Sequence, residues 1–132
     1  MVIDCFDNEF AFLSNFYNIN IKYEGLEYNS VEHAYQASKS LDINDRIKFT
    51  IIGNLTTGQS KRIGSKLTLR PNWDNIKLSI MEELLIIKFN NPTLKEALLL
   101  TSEYELIEGN NWHDNYWGFL YMSKMYIRRE RK

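Results

Sequence analysis

Apolar and polar positions alternate in two short stretches near the start of the chain, residues 2–6 and 16–23. The run Asn18-Ile19-Asn20-Ile21-Lys22-Tyr23 reads polar then apolar, as a half-buried strand does. Glu24-Gly25 predicts a turn, and Leu26–Tyr28 a short return strand. At Ser30 the period changes. Ser30 suits an N-cap, Glu32 suits the positive end of a helix dipole, and Val31, Ala34, Tyr35 and Ser38 share one helical face. A second helix is predicted over about 44–52, ended by Gly53-Asn54, and a third over about 57–63, with Gly64 as its stop. The strongest helical pattern runs over 73–89: Pro71 precedes it, Asn72 stands at the cap, and Ile76, Ile80, Leu84 and Ile87 recur at three or four. Asn90-Asn91 breaks it, and Pro92 opens another helix to about Leu100. Residues 105–108 predict a strand and 109–118 a polar, aromatic loop. Helices in the middle with strands on the flanks predict an α+β fold, a compact, mainly helical single domain over 1–132 with a small β-sheet.

Composition narrows the function classes. A chain of 132 residues is one domain's worth and can bury a core without metal or disulfide staples. Its 16 basic and 17 acidic residues leave a net charge of -1, so no global basic field collects nucleic acid or anionic membrane. Five basic residues (Lys124, Arg128, Arg129, Arg131 and Lys132) fall in the last nine positions; this basic end is read as solvated rather than as a phosphate-steering element. The single cysteine, Cys5, excludes an intramolecular disulfide and a multi-cysteine zinc site, and is read as a buried structural thiol. The first ten residues carry acids where a signal peptide carries bases, and the longest aliphatic run, Leu84 to Ile87, is far shorter than the roughly 20 residues of a membrane span. The expectation is a cytoplasmic domain with no membrane partner.

Three clusters can carry chemistry. In Phe12-Leu13-Ser14-Asn15-Phe16-Tyr17, an asparagine among aromatics can bond a base or sugar edge while rings supply a stacking floor; the plain alternative is a core segment with a turn asparagine. In residues 30–39, Glu32, Gln36 and Lys39 are spaced by four and three, so one helical face presents a carboxylate, an amide and an ammonium, with His33 beside Gln36; the plain alternative is a solvated face with a capping acid. An ionised carboxylate at a ligand suits stabilisation of a developing cation or acceptance of a proton from water. Residues 108–118 pack Trp112, Trp117, Tyr116, His113 and Asp114 into one stretch, a composition more typical of sites than of connectors. His33 and His113 are the only histidines and lack zinc-site spacing, and neither a dinucleotide fingerprint nor a P-loop is present, so no metal and no cofactor are expected.

Taken in order, FLSNFY, GLEYNSVEHAYQASK, RPNW with a long helix ending Lys88-Phe89, and LIEGNNWHDNYWG resemble the NADAR superfamily, the YbiA-like N-glycosidases. The resemblance spans about 10–118; residues 119–132 depart from the family's closing motif. It implies the YbiA-like α+β fold and hydrolysis of the N-glycosidic bond of a phosphorylated ribosyl compound. The substrate would be a ribosylaminopyrimidine phosphate of riboflavin synthesis or ADP-ribose attached to guanine, including in ADP-ribosylated nucleic acid. The near-neutral charge favours a small ligand over a polynucleotide. Such cleavage passes through a ribosyl-cation-like state, which glycosidases meet with acidic residues at the anomeric carbon. Under this resemblance Glu32 is the first catalytic carboxylate and Asp114 the second acid. Asn15 and Phe16 orient or floor the base or ribose, and His33 and Gln36 join the binding face. Lys39, Lys61 and Arg62 meet the phosphates, and Trp112 and Trp117, with Gly118, form the stacking wall. Trp73 is assigned to the core. The alternative from another class is a non-catalytic module that binds ADP-ribose or NAD-type ligands; a structural protein on an enzyme scaffold is the third.

Overall fold

The computed structural model describes residues 2–3, 8–101 and 105–106. The expected strand at 18–23 forms as β2 (Ile21–Tyr23) and pairs antiparallel with β3 (Leu26–Tyr28), in the register Ile21 opposite Tyr28. Glu24 and Gly25 both take positive φ, 48° and 83°, the two-residue turn geometry whose twist matches flanking strands. The other strands, β1 (Val2–Ile3) and β4 (Glu105–Leu106), pair in parallel as a separate two-stranded sheet. Residues 16–20 are not strand, and a 3-10 helix that the pattern does not announce covers Asn8–Leu13.

Helix α1 (Val31–Ala37) starts where expected, with Ser30 Oγ accepting from the His33 amide. α2 (Ile43–Ile47) is shorter than the predicted 44–52. The cause is tertiary: Thr50 forms a bridge with Tyr28, and the Ile51 amide donates to the Glu27 carbonyl at 3.1 Å, so the backbone there pairs with β3 instead of coiling on. α3 (Thr57–Gly64) opens on a capping box between Thr56 and Gln59. α4 (Trp73–Phe89) and α5 (Pro92–Leu100) match the predicted spans. One cap assignment changes: Asn72 sits in the left-handed region and its carbonyl, not its side chain, accepts from Asn75 and Ile76, while Asn91, read only as part of the break after α4, caps α5 with its side chain.

α1 is the hub. It packs against α3, α4, α2, β2 and β3. Val31, Ala34 and Ala37 are fully buried against Leu13, Ile21, Leu84, Leu85 and Phe89. Trp73 joins this core, its ring 5.3 Å from that of Tyr35. No helix of the described residues is long and apolar enough to cross a membrane.

Gly64 has a purpose beyond the expected helix stop. It is the last residue of α3, so the helix ends there as expected, but its φ is not positive, and it is buried against α1, where an added Cβ would overlap Gln36 Oε1. The glycine lets two helices approach. Gly64→Ala therefore forces the Gln36 side chain aside and should lower stability in urea unfolding by about 1–3 kcal/mol, the usual cost of overpacking. An unchanged midpoint would contradict this contact.

Candidate active site

The α1–α3–α4 junction collects the polar residues singled out above. Glu32 is only 3% exposed, and its Oε1 accepts a 2.8 Å hydrogen bond from Gln36 Nε2 one turn on, itself buried. The i, i+4 spacing that puts these groups on one helical face thus becomes a bond between them. The Glu32 backbone amide donates to the Asn15 carbonyl at 3.0 Å, which ties the Ser14-Asn15 turn to the first turn of α1. Asn15 is buried as well, its Nδ2 directed at Met81 Sδ of α4. Lys39, half-buried just beyond α1, has its pKa lowered by burial; the Glu32 carboxylate opposes that shift, and the neighbouring Lys61 and Lys77 add to it. Lys61 Nζ lies 5.2 Å from the centre of the Phe16 ring. Asn15, Phe16, Glu32, Gln36, Lys39 and Lys61 are thus brought together, with Lys77 as a cation that sequence reasoning missed.

Tyr35 borders the same face. Burial, with the Glu32 and Asp74 carboxylates, raises its phenol to about 12, so it stays protonated and able to donate. His33 is buried with both ring nitrogens engaged: Nδ1 is 2.6 Å from Ser30 Oγ, and Nε2 is 2.8 Å from the Leu55 carbonyl. A carbonyl only accepts, so Nε2 carries the hydrogen, and His33 holds the 54–56 segment against α1. Arg62 is exposed on α3. Asp114, Trp112, Trp117 and Gly118, like Cys5, His113 and the basic end, lie outside the described residues.

Four buried polar atoms have no hydrogen-bond partner among the described residues: Arg46 Nη2, and three on residues of or beside α1 and α3, Asn15 Oδ1, Gln36 Oε1 and Ser60 Oγ. Each such group costs about 1–3 kcal/mol. A fold that carries three of them to one junction is holding polar chemistry there at the expense of stability. Among the described residues no group of three metal-ligating side chains occurs.

Sequence reasoning also missed Lys88. In sequence it reads as the basic residue that ends α4 and suits the helix dipole. In the structure it is 1% exposed, donates to the Ser14 carbonyl at 2.7 Å, and lies 5.5 Å and 5.0 Å from the ring centres of Tyr17 and Phe89. Burial drives its pKa from 10.5 down to about 7. Lys88 thus pins the Ser14-Asn15 turn from below, as Glu32 pins it from α1, and its amine is poised between its charged and neutral forms near neutrality.

Three comparisons bear on this arrangement. Residues 5–132 match the NADAR domain. The chain is 32% identical over 113 residues to the N-glycosidase YbiA of Escherichia coli, covering 84% of this chain and 69% of that protein. It is 33% identical over 109 residues to an N-glycosidase of Nostoc punctiforme, covering 80% of this chain and 69% of the other. It is 31% identical over 115 residues to a riboflavin biosynthesis protein of Vibrio vulnificus, covering 85% of this chain and 30% of the other. Among solved structures it resembles the NMR structure of E. coli YbiA, with a TM-score of 0.82, 25% identity, and coverage of 99% of this chain and 86% of that one. The α+β fold expected from the sequence is therefore the YbiA fold.

The Lys88 geometry sets a pH dependence. An unfolded chain keeps this lysine protonated to about pH 10.5, the folded one only to about 7, so between those values the unfolded state binds more protons and stability rises with pH. Urea unfolding should gain of order 2 kcal/mol from pH 7 to pH 9. Lys88→Met should flatten that rise; an equal slope in both proteins would contradict the burial of this amine.

Proposed function

The chain belongs to the NADAR family, and from that premise we propose that it is an N-glycosidase acting on a phosphorylated ribosyl compound whose leaving group is a nitrogen heterocycle. Its substrate is a ribosylaminopyrimidine phosphate or ADP-ribose attached to guanine. The observation that carries this reading is the buried Glu32 carboxylate, oriented by Gln36 and faced by Lys39, with Lys61 and Lys77 close by. The relatives named N-glycosidases support it at the level of reaction class.

In this reading the C–N bond breaks with its electron pair leaving on the heterocycle. Positive charge develops on the ribose ring, and Glu32, shielded from water, stabilises it more strongly than an exposed acid would. Water adds to the anomeric carbon and gives up a proton, and the departing nitrogen gains one. Asp114 is the second acid of the proposal. Lys39 and Lys61 hold the phosphate end by charge-assisted hydrogen bonds, Asn15 orients the ligand, and Phe16 floors it. Gln36 acts as a positioning residue for the carboxylate. Asp114, Trp112, Trp117 and Gly118 enter from the sequence pattern alone.

Glu32→Gln keeps an oxygen that can accept from Gln36 Nε2, so the variant should fold as the native chain does and still bind ribosyl-phosphate ligand. Release of free base should fall about 10²- to 10⁴-fold. Undiminished hydrolysis would remove Glu32 from the reaction. Tight binding with no base release by either protein would identify a ligand-binding module instead.

A further inference from the structure

The side chain of Asn15, which the proposed reaction uses to orient its ligand, is not held firmly by its own tip. Its Nδ2 meets only Met81 Sδ, at 3.8 Å, and its buried Oδ1 has no hydrogen-bond partner among the described residues. The direction of that side chain is therefore set through the backbone. Two bonds close the turn locally: the Tyr17 amide donates to the Ser14 carbonyl at 3.1 Å, and the Phe16 amide to Ser14 Oγ at 3.0 Å. Two more come from distant elements: the Glu32 amide donates to the Asn15 carbonyl at 3.0 Å, and Lys88 Nζ to the Ser14 carbonyl at 2.7 Å. The Ser14 carbonyl and the Asn15 amide belong to one rigid peptide plane, and the Asn15 carbonyl to the next. Lys88 thus holds the plane that enters Asn15, and Glu32 the plane that leaves it.

Met81 and Lys88 are seven residues apart in α4, two helical turns, so one buried face meets both the Asn15 carboxamide and the peptide before it. Packing alone does not call for an amine at position 88. The site is 1% exposed and apolar, with the Tyr17 and Phe89 ring centres 5.5 Å and 5.0 Å from Nζ, and an aliphatic chain would fill it without burying a charge. The groups packed on the amine are those two rings and the Ser14 carbonyl, and burial is the cause of its lowered pKa.

We propose that Lys88 is a positioning residue for the Glu32 site: by holding the Ser14-Asn15 peptide from α4, it fixes how Asn15 and Phe16 meet the ligand. The ammonium does this best, since its bond to the carbonyl is charge-assisted and both rings attract it; the neutral amine keeps N–H donors but loses that assistance. Ligand affinity therefore falls as pH rises through about 7, where Lys88 loses its proton. Stability moves the opposite way over the same range, because the neutral amine is cheaper to bury. A lysine that served the fold alone would not set the two trends against each other. The inference rests on the reading that Asn15 and Phe16 touch the ligand.

The test uses native protein, Lys88→Met and Lys88→Arg, with ADP-ribose as the probe, since its pyrophosphate does not titrate between pH 6 and pH 9. In the ligand-free native chain the Asn15 side-chain amide signals should titrate with a midpoint near 7, and in Lys88→Met they should not. By calorimetry, Lys88→Met should bind ADP-ribose about tenfold more weakly than the native chain at pH 6, and the gap should close at pH 9. Lys88→Arg, charged throughout, should keep at pH 9 the affinity it has at pH 6. Lys39, whose pKa burial also lowers, titrates in all three proteins, so the differences among them isolate Lys88. Should arginine not be accommodated, the Asn15 signals of native and Lys88→Met protein decide the matter. Equal affinity of native and Lys88→Met protein at pH 6, or Asn15 signals that titrate alike in both, would overturn the proposal. Base release keeps the two readings apart. If the Lys88-dependent step appears while no N-glycoside is cleaved, the N-glycosidase reading fails and the positioning role stands. If base is released with one pH profile in native and Lys88→Met protein, the reverse holds.

Discussion

The 2.8 Å hydrogen bond from Gln36 Nε2 to Glu32 Oε1 lies where α1 meets α3 and α4, and a carboxylate held there without a donor would be costly to bury. Both groups belong to α1, so the bond is local to that helix, but the Gln36 side chain has room to make it only because Gly64 of α3 has no side chain. A bulkier residue in α3 would displace Gln36 and leave Glu32 without its orienting amide. Site and scaffold therefore share one contact: the small residue that allows the helices to close also fixes the geometry of the acid.

The Ser14-Asn15 turn is the second element on which the site rests. It receives one hydrogen bond from the Glu32 backbone and one from Lys88, so it is held from α1 and from α4 at once. The Ser14 hydroxyl also accepts from the Phe16 amide at 3.0 Å, which holds the backbone of the turn at Phe16. Asn15 and Phe16 consequently face two different surfaces from one rigid corner. Lys88, whose pKa falls to about 7 through burial, makes this corner sensitive to pH in the physiological range.

Much of this was legible in the chain because it is local. The hairpin turn at Glu24-Gly25, the Ser30 cap, the α4 periodicity and Pro92 at the head of α5 each signal within a few residues, and the structure follows them. Glu32 and Gln36 were likewise readable, since i, i+4 spacing puts them together on any helix. What the sequence hides is long-range. Lys88 looks like an ordinary helix-ending cation until its partner 74 residues earlier is known. Gly64 looks like a helix stop until Gln36 is seen against it. α2 ends early because Thr50 and Ile51 pair with β3, which no local propensity records. His33 reads as a binding residue by its position beside Glu32, yet its ring nitrogens serve Ser30 and Leu55.

The reaction itself is the point most open to direct measurement. The native chain would be incubated with a ribosylaminopyrimidine phosphate, NAD, ADP-ribose and ADP-ribosylated guanosine in separate reactions, and free base and ribose phosphate followed by mass spectrometry. A buried, oriented carboxylate among lysines predicts time-dependent release of a heterocyclic base together with its ribosyl phosphate from at least one N-glycoside of the panel. Intact ligands after prolonged incubation, under conditions where the same ligands bind, would contradict it.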